Sequence, residues 1–77
     1  MLQSKNYLQL LQWIGLSENS ANIYLNLVEN GLSAISDITT QTWLHRMQIY
    51  RLLPYLVETG FVFEVLKGKR KFYKKKR

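Results

Sequence analysis

The hydrophobic period of this chain changes once, at Gly60. Before it, apolar residues recur at helical spacing. After it, "FVFEVL" alternates over residues 61–66, meets Lys67-Gly68, and is followed by "KRKFY". A switch from a period of about 3.6 residues to one of about 2 predicts helices followed by a hairpin. The chain has 77 residues, which allows one small domain and no more. A domain of that size buries only roughly 60% of its unfolded surface. It contains no Cys, so neither a disulfide nor a thiolate–metal site reinforces the core. The 47% hydrophobic and 13% aromatic content still argues for a folded chain.

The helical part divides into four. "SKNYLQLLQWIG" reads as a first helix, capped by Ser4, with Tyr7, Leu10, Leu11 and Ile14 at helical spacing and Gly15 at its end. "LSENSANIYLNLVENG" reads as a second, with Ser17 as N-cap, Glu18 at the positive end of the dipole, and Ala21, Tyr24, Leu25 and Val28 as its apolar stripe. Asn30-Gly31 ends it. "LSAISDITTQT" is a short third helix, capped at Ser33 or Ala34, with Ile35 and Ile38 facing inward. Its β-branched residues make it depend on packing. "WL" is a tight connection.

A fourth helix spans 45–59, with Ile49, Leu52, Leu53 and Leu56 on one face and Met47, Arg51, Pro54 and Glu58 on the opposite one. Pro54 either kinks this helix on its outer side or opens a new turn. A two-residue loop at Lys67-Gly68 sets Val65 opposite Arg70, Glu64 opposite Lys71, Phe63 opposite Phe72 and Val62 opposite Tyr73. That register places Phe61, Phe63 and Phe72 on the inner face and a Glu64–Lys71 pair on the outer one. The expected domain is therefore 1–73, with 74–77 as a frayed basic tail.

Charge is distributed unevenly. Residues 1–66 hold three cations (Lys5, Arg46, Arg51) against five acids, or −2, while residues 67–77 hold eight cations and no acid, or +8. The positive field therefore has a direction. A short helix, a tight turn, an amphipathic helix and a hairpin form the winged helix-turn-helix layout. The expected fold class is mostly α with a small β-hairpin. In that layout the second helix of the pair fits the major groove of duplex DNA. Here its polar side offers His45, Arg46, Met47, Gln48, Tyr50 and Arg51. Lys67, Lys69, Arg70 and Lys71 cluster at the wing, with Lys74 beyond, and Ser36 sits near a helix N-terminus where a phosphate can be held.

These residues resemble the DNA-binding domain of TrmB-like archaeal and bacterial transcription regulators. Gly15-Leu16-Ser17, Ala21, Tyr24-Leu25, Leu27, Gly31, Ser36, Ile38, Thr42, Arg46, Tyr50, Leu53, Leu56 and Gly60 fall in register with the family pattern without gaps. The resemblance covers about residues 8–66 and implies a duplex-DNA-binding transcription regulator located in the cytoplasm with the nucleoid. Trp43 replaces the pattern's turn glycine, which suggests a reshaped turn, and its indole is expected to pack. His45 replaces a proline, Met47 a small polar residue, and Pro54 is foreign to the pattern. The family continues into a dimerising and sugar-binding region that this sequence does not include, so no small-molecule effector is implied.

Other readings compete. A basic wing beside a weakly basic helix also suits RNA or non-specific nucleic-acid binding. A protein-interaction module would use Leu2, Trp13 and Tyr55. A homodimer through the first helix, with Leu2, Leu8 and Trp13, would give affinity for a two-fold site. Nothing points to an enzyme or cofactor: His45 is the lone His, there is no Cys, no glycine-rich phosphate loop and no paired carboxylates. No apolar run approaches the roughly 20 residues that span a bilayer, and the N-terminus lacks the basic and apolar regions of a signal peptide.

Overall fold

The computed structural model describes residues 10–12 and 14–76. Residues 10–12 are helical, and Gly15 at φ 104° turns the chain out, its N–H donating to Gln12 O at 3.0 Å. Among the described residues 10–12, 14 and 15, one is buried. Leu11 is buried, whereas Leu10 and Ile14, expected inward, are exposed. Ser4, Tyr7 and the proposed dimer contact at Leu2, Leu8 and Trp13 lie outside the described residues.

Helix α1 (Glu18–Asn30) begins as expected, with Ser17 Oγ accepting from Ser20 N at 3.2 Å, and ends at Gly31, φ 74°. Its buried face is wider than one stripe. Ser20, Ala21, Ile23, Tyr24, Asn26 and Leu27 are all buried, while Val28, expected inward, is exposed. The reason is its central position: helices α2 (Ile35–Thr42) and α3 (Arg46–Glu58) and strand β2 (Arg70–Lys75) all pack on it. A helix with three neighbours hides more than a single stripe.

Helix α2 contains four Ser or Thr residues in eight positions. Thr39, Thr40 and Thr42 each donate to the carbonyl four residues back, at 2.9, 3.0 and 2.7 Å. Its cap is Ala34, not Ser33: the Asp37 carboxylate accepts from Ala34 N at 3.0 Å. Ser33 has another task. Its N–H and carbonyl pair with Tyr73 at 2.9 and 2.8 Å, adding a third-strand stub beside β2. The turn after α2 has a positive φ at the position where the family pattern carries glycine. Trp43 itself takes the left-handed conformation, φ 64°, and is 92% exposed, so it does not pack. Thr42 Oγ1 accepts from Leu44 N at 3.2 Å, Trp43 N donates to Thr39 O at 3.0 Å, and Leu44 packs on the core. These contacts hold the tryptophan in the position a glycine would take without strain.

Helix α3 buries Ile49, Leu53 and Leu56 and runs unbroken through Pro54. The prolyl ring sits on the exposed side, and without an N–H it leaves the Tyr50 carbonyl lacking its helical donor. Pro54→Ala is therefore expected to stabilise the domain by about 1–3 kcal/mol, the proline penalty less the unfolded-state entropy that proline removes. Urea unfolding of the two proteins checks this.

Strand β1 (Val62–Lys67) pairs antiparallel with β2, Lys67 opposite Arg70 and Val62 opposite Lys75. The loop is Gly68-Lys69, one residue later than expected. Gly68 at φ 64° takes the first loop position, where a type II′ hairpin turn requires a positive φ. Both registers group Phe63 with Phe72 and Val62 with Tyr73, but the inner and outer faces are the reverse of those expected. Val62 and Tyr73 fill the inner face, and Phe63 and Phe72 lie on the outer one. Of the three phenylalanines only Phe61, ahead of the strand, packs inward, edge-on to Tyr24 at 5.7 Å. Glu64 and Lys71 do approach, at 3.9 Å, but as diagonal neighbours on the inner side. Residues 74–76 are not a loose end. Lys74 and Lys75 are in β2, and Lys76 N donates to Phe61 O at 2.8 Å.

Tyr73 joins the wing to the helices. Its hydroxyl donates to Glu64 Oε2 at 3.1 Å. Burial, then the hydrogen bond and charge of Glu64, push this phenol from 10.0 up to about 12. In the unfolded chain it ionises first, so between those values the unfolded state binds fewer protons and stability falls as pH rises. Thermal midpoints should therefore drop more steeply between pH 10 and pH 12 in wild type than in Tyr73→Phe.

Candidate nucleic-acid interface

The N-terminus of α3 is built by a reciprocal cap. His45 Nδ1 accepts from Met47 N at 3.2 Å, and Gln48 Oε1 accepts from His45 N at 3.0 Å. This arrangement needs His45 unprotonated at Nδ1, and it leaves only the amide NH₂ of Gln48 for an outside acceptor. His45, Arg46, Met47, Gln48, Tyr50 and Arg51 are all exposed. Arg46 occupies the first helical position, and the first turn of α3 has no acid. A cation there opposes the helix dipole, a modest penalty that a bound anion relieves.

The wing lies along the Arg46–Tyr50–Val57 flank of α3. Ser36 at the start of α2, Arg46 and Tyr50 on α3, and Arg70 and Lys71 on β2 line one shallow concavity with Ala34 and Ile35. Three separate elements thus bring three cations, a hydroxyl and a phenol together. Asp37, next to Ser36, turns its carboxylate to Ala34 N. Farther along the same flank, Leu53, Pro54, Val57, Glu64 and Tyr73 continue the groove as an apolar cleft.

The other expected residues stand outside the concavity. Met47 and Arg51 are on the outward face of α3, and Lys69 is at the wing tip. Cations also lie over the outer rings: Lys67, and Arg70 which lines the concavity as well, at 5.9 and 5.2 Å from the Phe72 centroid, and Lys74 and Lys76 at 5.6 and 5.1 Å from that of Phe63. These contacts hold the cations at defined places on the ribbon. Among the described residues, neither Arg46 nor Arg51 is paired with a carboxylate. Lys76 belongs to the terminal run expected to be a tail, and it is tied to the ribbon instead. Trp43, expected to pack because a large indole reads as core, is exposed instead. The signal for it was its place at the turn position where φ must be positive.

Among the described residues no cluster of His, Asp and Glu is able to hold a metal ion, and no helix is long and apolar enough to cross a membrane. The arrangement offers cations and hydrogen-bond donors over one exposed helix and one ribbon, the chemistry of polyanion binding. Residues 11–77 match the family model described as sugar-specific transcriptional regulator TrmB. No curated protein matches the chain.

Proposed function

Because the chain belongs to the TrmB family of sugar-specific transcriptional regulators, we propose that it is a sequence-specific duplex-DNA-binding regulator with α3 in the major groove. The observation that carries this reading is the convergence of Ser36, Arg46, Tyr50, Arg70 and Lys71 around one concavity, beside the open outer face of α3. In it the DNA backbone crosses the concavity. Arg46, Arg70 and Lys71 meet phosphates, Ser36 and Tyr50 donate to them, and Lys67, Lys69 and Lys74 extend the contact along the wing toward the adjacent backbone or minor groove. Phosphate contacts place the helix and make binding salt-dependent. Base edges are left to Arg51, Met47 and the free amide of Gln48, with His45 holding the cap behind them. A second copy on a two-fold site would double these contacts, and the protein would act in the cytoplasm at the nucleoid.

Arg51→Ala tests the specificity. On the duplex that the wild type enriches from a random pool, the variant should lose about 5- to 150-fold in affinity, the range for one bidentate base contact. On unrelated duplex it should lose little. Equal losses on both would sink the assignment of Arg51 to a base.

A second reading is favoured by the outer wing face. Phe63, 41% exposed, and Phe72 sit there among four cations, a surface able to stack unpaired bases. Tighter binding to single strands or structured RNA than to any duplex would establish that reading in place of the first.

A further inference from the structure

We propose that Trp43 is a specificity-determining contact that reads thymine methyl groups in the major groove, with Met47 beside it; this rests on the functional reading above. Three observations carry it. First, Trp43 holds a left-handed backbone, φ 64°, the one positive φ at a non-glycine residue among the described residues. That conformation crowds any Cβ and suits glycine.

Second, the indole is 92% exposed. Burial of a tryptophan brings one of the largest hydrophobic gains available to a side chain, and this fold forgoes it. Neither the backbone nor the packing of the free domain benefits from tryptophan at this position. A residue that is strained at its backbone and unburied at its side chain points to a contact off the molecule.

Third, its surroundings favour a polyanion over a protein. Gln41, His45, Arg46 and Gln48 around it in sequence are exposed and polar, and Met47, at 59% exposure, is the one large apolar neighbour on the first turn of α3. That is too little apolar surface for a protein docking patch. The turn leads directly into the end of α3 that reaches base edges in helix-turn-helix docking. The apolar feature displayed in the major groove is the thymine C5-methyl group.

The test compares wild type with Trp43→Gly and Trp43→Phe on the duplex the wild type enriches from random sequence, made with thymine or with deoxyuridine in its place. For wild type, loss of each contacted methyl should weaken binding about fourfold. Trp43→Gly should raise the thermal midpoint, by about 4–8 °C, because the strain is gone, yet bind the thymine duplex more weakly and no longer distinguish it from the deoxyuridine one. Trp43→Phe should keep part of the discrimination. A residue with a purely structural role would not yield a more stable protein that binds less well. Unchanged affinity and unchanged thymine preference in Trp43→Gly would overturn the proposal while leaving the DNA-binding reading intact. Absence of any duplex binding by wild type at low salt would overturn both.

Discussion

Replacing Lys69, Arg70 and Lys71 together by alanine is expected to reduce the affinity for duplex DNA about 500-fold at 0.1 M salt, with the loss shrinking toward zero near 1 M. The estimate follows from counterion release. Each phosphate neutralised on duplex DNA contributes about 0.9 to the slope of log affinity against log salt, so three contacts contribute about 2.7. The same slope requires the ratio of wild-type to variant affinity to fall about 40-fold between 50 and 200 mM. The substitution is light on the fold. All three side chains are exposed, and of them only Lys71 has a carboxylate partner among the described residues, Glu64 at 3.9 Å. An exposed pair of this kind contributes little to stability. Fluorescence anisotropy across a salt series measures both quantities. If the variant keeps the wild-type slope, the wing does not touch phosphates. If the slope falls but the preference among duplex sequences persists, phosphate contact belongs to the wing and base reading to α3.

Local features were legible in the sequence and non-local ones were not. Ser17, Gly31 and Gly60 mark element ends through chemistry within a few residues of themselves, and α1, α2 and α3 begin and end close to where they were expected. Burial of Ile49, Leu53 and Leu56 followed from helical spacing alone. The hairpin was legible as a hairpin, but its loop and its faces were not. Hydrophobicity ranks phenylalanine above tyrosine, so Phe63 and Phe72 were placed inside. What reverses this is a pairing across the chain: Ser33 clamps Tyr73 by two main-chain bonds, and Glu64 satisfies the hydroxyl. Glu64 is in the same hairpin, but Ser33 lies before α2, far from Tyr73 in sequence. The site divides the same way. The exposed residues of α3 were legible from spacing. The concavity shared by Ser36, Arg46, Tyr50, Arg70 and Lys71 required three elements to be set beside one another. Trp43 resisted reading for a different reason: side-chain type argues for burial, and only the backbone it adopts argues against it.

Tyr73→Ala is expected to destabilise the domain by about 3–5 kcal/mol, the range for emptying a buried aromatic site. Small domains have a total stability near the lower end of about 5–15 kcal/mol, so much of the variant should be unfolded at physiological temperature. The size of the effect comes from the junction Tyr73 forms. The residue is 5% exposed, on the inner face shared with Val62, and its main chain bonds Ser33 at 2.8 and 2.9 Å in both directions. The helical body and the wing meet at this residue. Tyr73→Phe separates the two contributions, since it keeps the ring and the main-chain bridge and removes only the bond to Glu64. Glu64 is exposed enough to be rehydrated, so the cost should be about 0.5–1.5 kcal/mol. Urea unfolding gives both differences, and amide exchange at Ser33 and Tyr73 shows whether the bridge opens with the whole domain or ahead of it. A Tyr73→Ala cost below about 1 kcal/mol, under the burial range, would mean that the wing is not anchored through this side chain. In that case Arg70 and Lys71 would lack the fixed placement beside Arg46 on which phosphate binding depends. A large cost, with the Ser33 and Tyr73 amides exchanging only on global unfolding, would make the wing part of the folded core. Its cations would then be held in position before any DNA arrives, with little further ordering needed on binding.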